Sequence, residues 1–293
     1  MKTIYYYGID NNKAGMETYA YNLIKGITQK TNEFKFHIIT QFEDFAFKNE
    51  FINELNCDYT IVPKRKKHPF KYSKCIKDIL SKASAGDKLQ LNIMSYKNFF
   101  LMHSVKKAQI NTIVVGHSVN TKNKFDFLVH KIGSLFYKNI GIKVGNNKQI
   151  ISYLCGKKCK NYKIIELGIK KEDFKFNESI RKEIRNKYKI SQNTFMIGQI
   201  GRLSKQKNQI FACKIMKKID DPDIQLYFFG KKMSRKAIAF SNRNHIENVH
   251  FIGEISNTKD IYNALDLFIF PSIFESAGLA LYESLENGCP SII

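Results

Sequence analysis

The chain has 293 residues, of which 43% are hydrophobic and 25% charged, a globular composition long enough for two domains that excludes disorder. No apolar run approaches the ~18 residues of a membrane-spanning helix, and the opening Met1–Gly8 lacks the apolar core and small-residue cleavage site of a secretory signal. The formal net charge is +22, with 24 Lys and Arg against 11 Asp and Glu in residues 1–150 and 24 against 15 in the remainder.

The elements alternate along the chain. Thr3–Tyr7, Phe36–Thr40, Tyr59–Val62, Leu89–Ile93, Thr112–Val115 and Lys163–Glu166 read as strands, being short and rich in β-branched and aromatic residues. A second series follows at Met196–Ile200, Gln225–Phe229, Val249–Ile252 and Leu267–Phe270, with a last strand at Pro290–Ile293. Helical patterns lie between them, as over Thr18–Ile27, Glu178–Lys189 and Leu279–Asn287, and Phe211, Ile215 and Ile219 repeat as one helix face would. Such alternation implies α/β architecture with parallel sheets flanked by helices. Each series restarts with a glycine-bearing strand–loop–helix, at Gly8 to Glu17 and at Gly198 to Asn208. The expectation is therefore two Rossmann-like domains, residues 1–167 and 168–293, with ligands bound beyond the carboxyl ends of the strands, in the cleft between the domains.

The densest basic run is Lys64-Arg-Lys-Lys-His-Pro-Phe70-Lys-Tyr72-Ser-Lys74. Cations mixed with aromatic residues suit an anionic lipid surface, where each adds about 1 kcal/mol near the headgroups. A plain solvated surface is the competing reading. Nucleic acid is the weakest, because no DNA- or RNA-binding signature accompanies the charge. The six cysteines are scattered, and the close pair Cys155 and Cys159 has no second pair to complete a zinc site. They read as reduced thiols.

Chemistry concentrates in the second half. Gly201 and Arg202 follow a strand, and Lys207 precedes a helix, so both cations sit in a loop at a strand's carboxyl end. An Arg fork and a mobile Lys charge suit phosphate oxygens, and a departing diphosphate gains the negative charge they would stabilise. A generic basic loop would look the same. Further on, Glu275 lies in the loop after Pro271 and Ser272, Gly278 permits close backbone approach, and a helix from Leu279 would aim free N–H groups at an anion. Glu283 falls on that helix, eight residues after Glu275. Carboxylates accept from paired hydroxyls, as on ribose or hexose rims. A loop charge and a surface glutamate would satisfy the same spacing. Asp221-Pro-Asp223 looks like an acidic metal pair but falls in a helix-to-strand loop, and reads as a turn.

With these segments in place the chain resembles the retaining glycosyltransferases of family 4, which have the two-domain GT-B fold. The matching stretches are Ala14–Thr18, His117–Asn120, Ile165–Ile169, Gly201-Arg202 with Lys207-Asn208, Phe229-Gly230, Asn248–Gly253 and Asp266–Pro290. The N-terminal ones resemble exopolysaccharide or capsule enzymes. Departures occur at Ala14, Leu167 and Lys232, where the family often has Gly, Asn and Gly. The resemblance implies a nucleotide diphosphate sugar as donor, with Arg202 and Lys207 on its diphosphate and Glu275 on the transferred sugar. The backbone of Ser276, Ala277, Gly278 and Leu279 would lie nearby, Glu283 on the ribose and Glu254 and Ile255 at the base. Gly201 would line the donor site. Gly15 would let the first loop approach donor or acceptor, and His117 would reach the sugar from the first domain. No metal or other cofactor is expected, since the cations and the helix dipole supply the positive field.

The expected function is hexose transfer to a glycan acceptor, lipid-linked at the inner membrane face, by a cytoplasmic, peripherally bound enzyme of surface polysaccharide synthesis. The family's second domain normally continues past the strand at Pro290–Ile293, so that domain is expected to be incomplete. A truncated, non-catalytic nucleotide-sugar-binding or partner-binding remnant is the alternative. A GT-B epimerase fits the spacings less well.

Overall fold

The computed structural model describes residues 1–12, 15–117, 124–202, 204–219, 221–231, 234–255, 257–273, 275 and 277–293. Ser276, Ala14, residues 118–120 and Lys232, all named above, lie outside them. The chain divides into two compact units, Met1–Glu166 and Leu167–Ile293.

The first unit runs β1 (Lys2–Tyr7), α1 (Gly15–Thr28), β2 (Phe34–Thr40), a π-helical turn (Glu50–Glu54), β3 (Asp58–Ile61), α2 (Pro69–Leu80) and β4 (Lys88–Ile93). It continues through α3 (Phe99–Ala108), β5 (Asn111–Gly116), α4 (Lys124–Tyr137), β6 (Ile142–Gly145), α5 (Lys148–Cys155) and β7 (Tyr162–Ile164). Among the described residues these strands form one parallel sheet in the order β3-β2-β1-β4-β5-β6-β7. Alternating side chains supply a core on each face. Tyr6 packs with Ala20, Ile24, Phe36 and Phe51 on one side. Its neighbour Tyr5 packs on the other with Tyr72, Ile76, Leu91, Leu101 and Ile150, so α2, α3 and α5 share that layer.

The second unit runs α6 (Glu178–Lys187), β8 (Phe195–Ile200), α7 (Gln209–Met216), β9 (Ile224–Phe229), α8 (Arg235–Arg243), β10 (Val249–Gly253), α9 (Lys259–Ala264), β11 (Leu267–Ile269), α10 (Leu279–Glu286) and β12 (Ser291–Ile292). Its parallel sheet has the order β10-β9-β8-β11-β12. Side-chain oxygens start the helices where the sequence offers Asn or Ser: Asn177 accepts from the N–H groups of Ser179 and Ile180, and Ser234 from that of Ala237.

A buried ion pair anchors this unit. Arg185 is fully buried, and its guanidinium reaches Asp266 Oδ2 at 2.6 Å and the carbonyls of Ala264, Ser191 and Thr194. Arg181 meets Asp266 Oδ1, also at 2.6 Å, and the Met196 N–H donates to Oδ2. One carboxylate thus ties α6 to β8 and to the start of β11.

Several expectations change. Strand β6 has no counterpart in the sequence reading. Its Ile-Lys-Val-Gly is short and broken by Lys143, which is buried because its ammonium donates to the carbonyls of Ile140 and Gly141, each at 2.8 Å. On α7 the buried face is Ala212, Cys213 and Met216, whereas Phe211 is 50% exposed and the helix ends before Ile219. Cys155 and Cys159 form a disulfide rather than standing as reduced thiols. Gly156, just past the last residue of α5, has φ +82° and lets the chain fold back so that the two Cα atoms lie 5.5 Å apart. The Asp221–Asp223 segment, by contrast, is the turn expected of it, with the Asp223 N–H donating to Asp221 Oδ1 at 2.9 Å.

Candidate active site

In the second unit the carboxyl ends of β8, β9 and β10 are stitched together by short hydrogen bonds. The Gly201 N–H donates to the Phe229 carbonyl at 2.9 Å, and the Gly230 N–H to the Gly253 carbonyl at 2.7 Å. Arg202 follows on the exposed side. A 3₁₀ turn over Lys205–Lys207 then leads, through Asn208 in the left-handed region, into α7. The buried Gln199 side chain donates from Nε2 to the Lys207 carbonyl at 2.6 Å and holds this turn against the sheet. The Ile273 N–H donates to the Gln206 carbonyl at 2.8 Å, drawing the loop after β11 alongside.

That juxtaposition brings Lys207 onto Glu275. The ammonium lies 2.7 Å from Oε1, with side chains 15% and 21% exposed. The contact is an ion pair rather than an aligned hydrogen bond, because Oε1 has no hydrogen-bond partner among the described residues. The same ammonium stands 4.6 Å from the centre of the Phe270 ring, a cation–π contact that shields one side. A Cβ at Gly201, whose φ is +135°, would meet Lys207 Cε at 3.3 Å, so glycine there leaves room for the lysine stem. Gly278, with φ +66°, caps α10 and lies against Phe270 and Glu275, where a Cβ would fall 3.4 Å from Phe270 Cζ. The first N–H groups of α10 lack intrahelical acceptors and open beside this pair. Ala277 and Leu279 flank Gly278 and are half-buried.

Glu283 sits one turn into α10, where Tyr262 donates its hydroxyl to Oε2 at 2.7 Å. Burial raises the Glu283 carboxyl above its ordinary value, and the Tyr262 hydrogen bond and the charges of Lys259 and Lys207 pull it partly back. Lys207 therefore acts electrostatically on both glutamates. Glu254, exposed, pairs with Lys231 at 3.3 Å. With Ile255, Tyr188 and Asp260 it lines a cavity of about 240 Å³.

The candidates of the first unit form a group of their own. His117 follows β5, and its Nε2 is 3.0 Å from Asn92 Oδ1. The Asn92 amide nitrogen donates to the Tyr7 carbonyl at 3.0 Å, which leaves Oδ1 as acceptor and puts the His117 proton on Nε2. Burial pushes the imidazole down to about 4, so it is neutral at physiological pH, and Tyr19 packs edge-on at 5.0 Å. Gly15 opens α1, and nothing described lies within 4 Å of a Cβ built there.

The structure thus gathers Gly201, Lys207, Glu275, Gly278 and Glu283 at one end of the second sheet. Tyr262, Phe270 and Gln199 complete that cluster and were not named from the sequence. Each is buried and reads there as core, although Phe270 and Gln199 stand at or near the ends of strands that carry the site.

The last 114 residues, 180–293, match the profile of the family described as Glycosyl transferases group 1. The glycogen synthase of Mycoplasma mobile is 30% identical over 142 residues, covering 39% of this chain and 30% of that protein. The chain therefore aligns with less than a third of that curated relative's length. Among solved structures, that of Anabaena Alr3699/HepE in complex with UDP and glucose superposes with a TM-score of 0.79 at 15% identity, over 99% of this chain and 80% of that one. WaaG, a glycosyltransferase involved in lipopolysaccharide biosynthesis, gives 0.73 at 16% identity, over 98% and 80%. The two parallel-sheet units are those of the GT-B fold, and the stretch that matches the group 1 glycosyltransferase profile lies within the second of them.

Proposed function

We propose that this chain is a retaining glycosyltransferase that moves a hexose from a nucleotide diphosphate sugar to a glycan acceptor. The observation that carries the reading is the Lys207–Glu275 pair over Phe270, at the strand ends and beside the opening of α10. A diphosphate bound there meets Lys207, Arg202 and the helix N–H groups, and their combined positive field stabilises the charge that develops as the sugar departs. Glu275 accepts from hydroxyls of the transferred sugar, with the backbone of Ala277 to Leu279 nearby. Glu283 accepts from the ribose, and Glu254 and Ile255 bound the base. His117, neutral with its proton on Nε2, is the sugar contact this reading assigns to the acceptor-side unit, and Gly15 leaves the start of α1 open to ligand. The field of the cations makes a metal unnecessary.

The acceptor in this reading is lipid-linked, and the enzyme works in surface polysaccharide synthesis, peripherally attached to the cytoplasmic face of the membrane. The similarity to WaaG and the basic run Lys64–Lys74 support this, and among the described residues no helix is long and apolar enough to cross a membrane. Calorimetry against a panel of nucleotide sugars tests the donor site. One or more should bind, and Lys207→Ala and Glu275→Ala should each lower turnover at least about a hundredfold. Unchanged turnover in either variant sinks the assignment, and failure to bind any nucleotide sugar favours a non-catalytic, partner-binding role.

A further inference from the structure

Helix α4 is built inside out. Its inward face is small or polar: Gly133, whose absent Cβ would fall 2.5 Å from the Tyr96 carbonyl oxygen, and His130, which contacts the Tyr153 carbonyl through Nε2 at 2.8 Å. Tyr137 completes that face and packs on Phe99 of α3. Its outward face is apolar. Phe125 is 71% exposed, Leu135 70% and Phe136 61%, and Leu128 and Ile132 are exposed between them. At 100° per residue these five side chains form one continuous stripe. Lys124, Lys131 and Lys138 run along one border of it, all exposed. The helix's one acidic residue, Asp126, is turned toward Lys97 at 3.4 Å.

A helix of a globular protein normally turns its apolar stripe to the core, and a contiguous exposed patch of this kind marks a contact surface. The charge around it selects the partner. The unit that carries α4 holds 28 Lys and Arg against 12 Asp and Glu, whereas residues 167–293 hold 20 against 14. A second exposed aromatic group lies in the same helix layer, where Phe70 of α2 meets Phe100 of α3 at 5.7 Å within reach of the Lys64–Lys74 run. Aromatic and aliphatic residues bordered by lysines are the composition of a helix lying in a lipid headgroup region. Nucleic acid would engage the lysines but leave the stripe uncovered.

We propose that α4 docks this chain on an anionic bilayer, its stripe entering the acyl boundary while Lys124, Lys131 and Lys138 meet lipid phosphates. The placement deepens, and rests on, the membrane-surface reading above.

The test uses the full chain and sedimentation with vesicles of phosphatidylcholine containing one quarter phosphatidylglycerol. The wild type should sediment with them, and a Phe125→Ser, Leu135→Ser double variant should lose about tenfold in partitioning or more. The sequence contains no Trp, so Phe136→Trp supplies a single indole whose selectively excited emission should shift to the blue on vesicle addition and be quenched by acyl-brominated lipid. Unshifted emission, or a double variant that sediments like the wild type, overturns the proposal. Retained binding in the double variant with loss in Lys64→Glu, Lys67→Glu moves the contact to the basic run and overturns only the role of α4. A lipid-independent, concentration-dependent blue shift assigns the stripe to a second copy of the chain and also overturns it. No nucleotide sugar enters these measurements, so their failure leaves the donor-site reading standing, and calorimetric failure leaves α4 untouched.

Discussion

Burial raises the Glu283 carboxyl, so the folded chain binds that proton more tightly than the unfolded chain does. The stabilisation this brings is complete below the unfolded value and is lost as pH rises through the folded one. At neutral pH an ionised Glu283 therefore costs stability. Glu283→Gln keeps an acceptor for the Tyr262 hydroxyl and removes the charge. Its melting temperature at pH 7 should equal or exceed that of the wild type, with the difference closing toward pH 4, while nucleotide-sugar affinity falls about tenfold or more through loss of a charge-assisted hydrogen bond. Thermal melts with calorimetry check both halves, and a lower melting temperature at pH 7 contradicts the argument. Lys207, Glu275 and Glu283 were legible as candidates because each follows a strand or opens a helix at a sheet's carboxyl end. Tyr262 and Phe270 were not, because an aromatic side chain that positions a charge has the same sequence signature as one that fills a core.

At the scale of elements, the second unit depends on one carboxylate shared by two guanidinium groups. Arg185 is fully buried, and without Asp266 its charge has only carbonyl dipoles around it. Removing one partner of such a pair leaves a buried charge uncompensated, at a cost of about 3–5 kcal/mol. Asp266→Asn should lower the urea midpoint accordingly, and a loss below about 1 kcal/mol would show that water reaches the pair. The strands that position the site were readable from β-branched and aromatic runs. Strand β6 was hidden by Lys143, whose ammonium finds its acceptors in the turn just before the strand, at Ile140 and Gly141. On α7 the repeat of Phe211, Ile215 and Ile219 suggested one helix face; Ile215 and Ile219 do pack on the core around Ala212 and Cys213, but Phe211 is turned outward.

For the whole molecule, four histidines titrate in the same sense. Burial lowers His37, His117, His130 and His250 below the ordinary imidazole value. The unfolded chain takes up those protons near pH 6.5, the folded chain resists them, and stability is lost as pH falls. For His117 the window runs from about 6.5 to about 4, and at pH 5 its share is on the order of 1–2 kcal/mol. Urea midpoints should fall between pH 7.5 and 5, and His117→Gln should flatten that decline; an unchanged slope would mean the imidazole takes its proton in the folded state. The sequence by itself determined the alternation of strand and helix, and with it parallel sheets whose carboxyl ends carry the charged loops, because periodicity and glycine placement are local properties of the chain. Only the tertiary structure decided that Lys207 rests on Glu275, that Cys155 closes on Cys159, and that α4 turns its apolar stripe outward. Periodicity defines the faces of an element, but which face is buried depends on neighbours that residues distant in sequence provide.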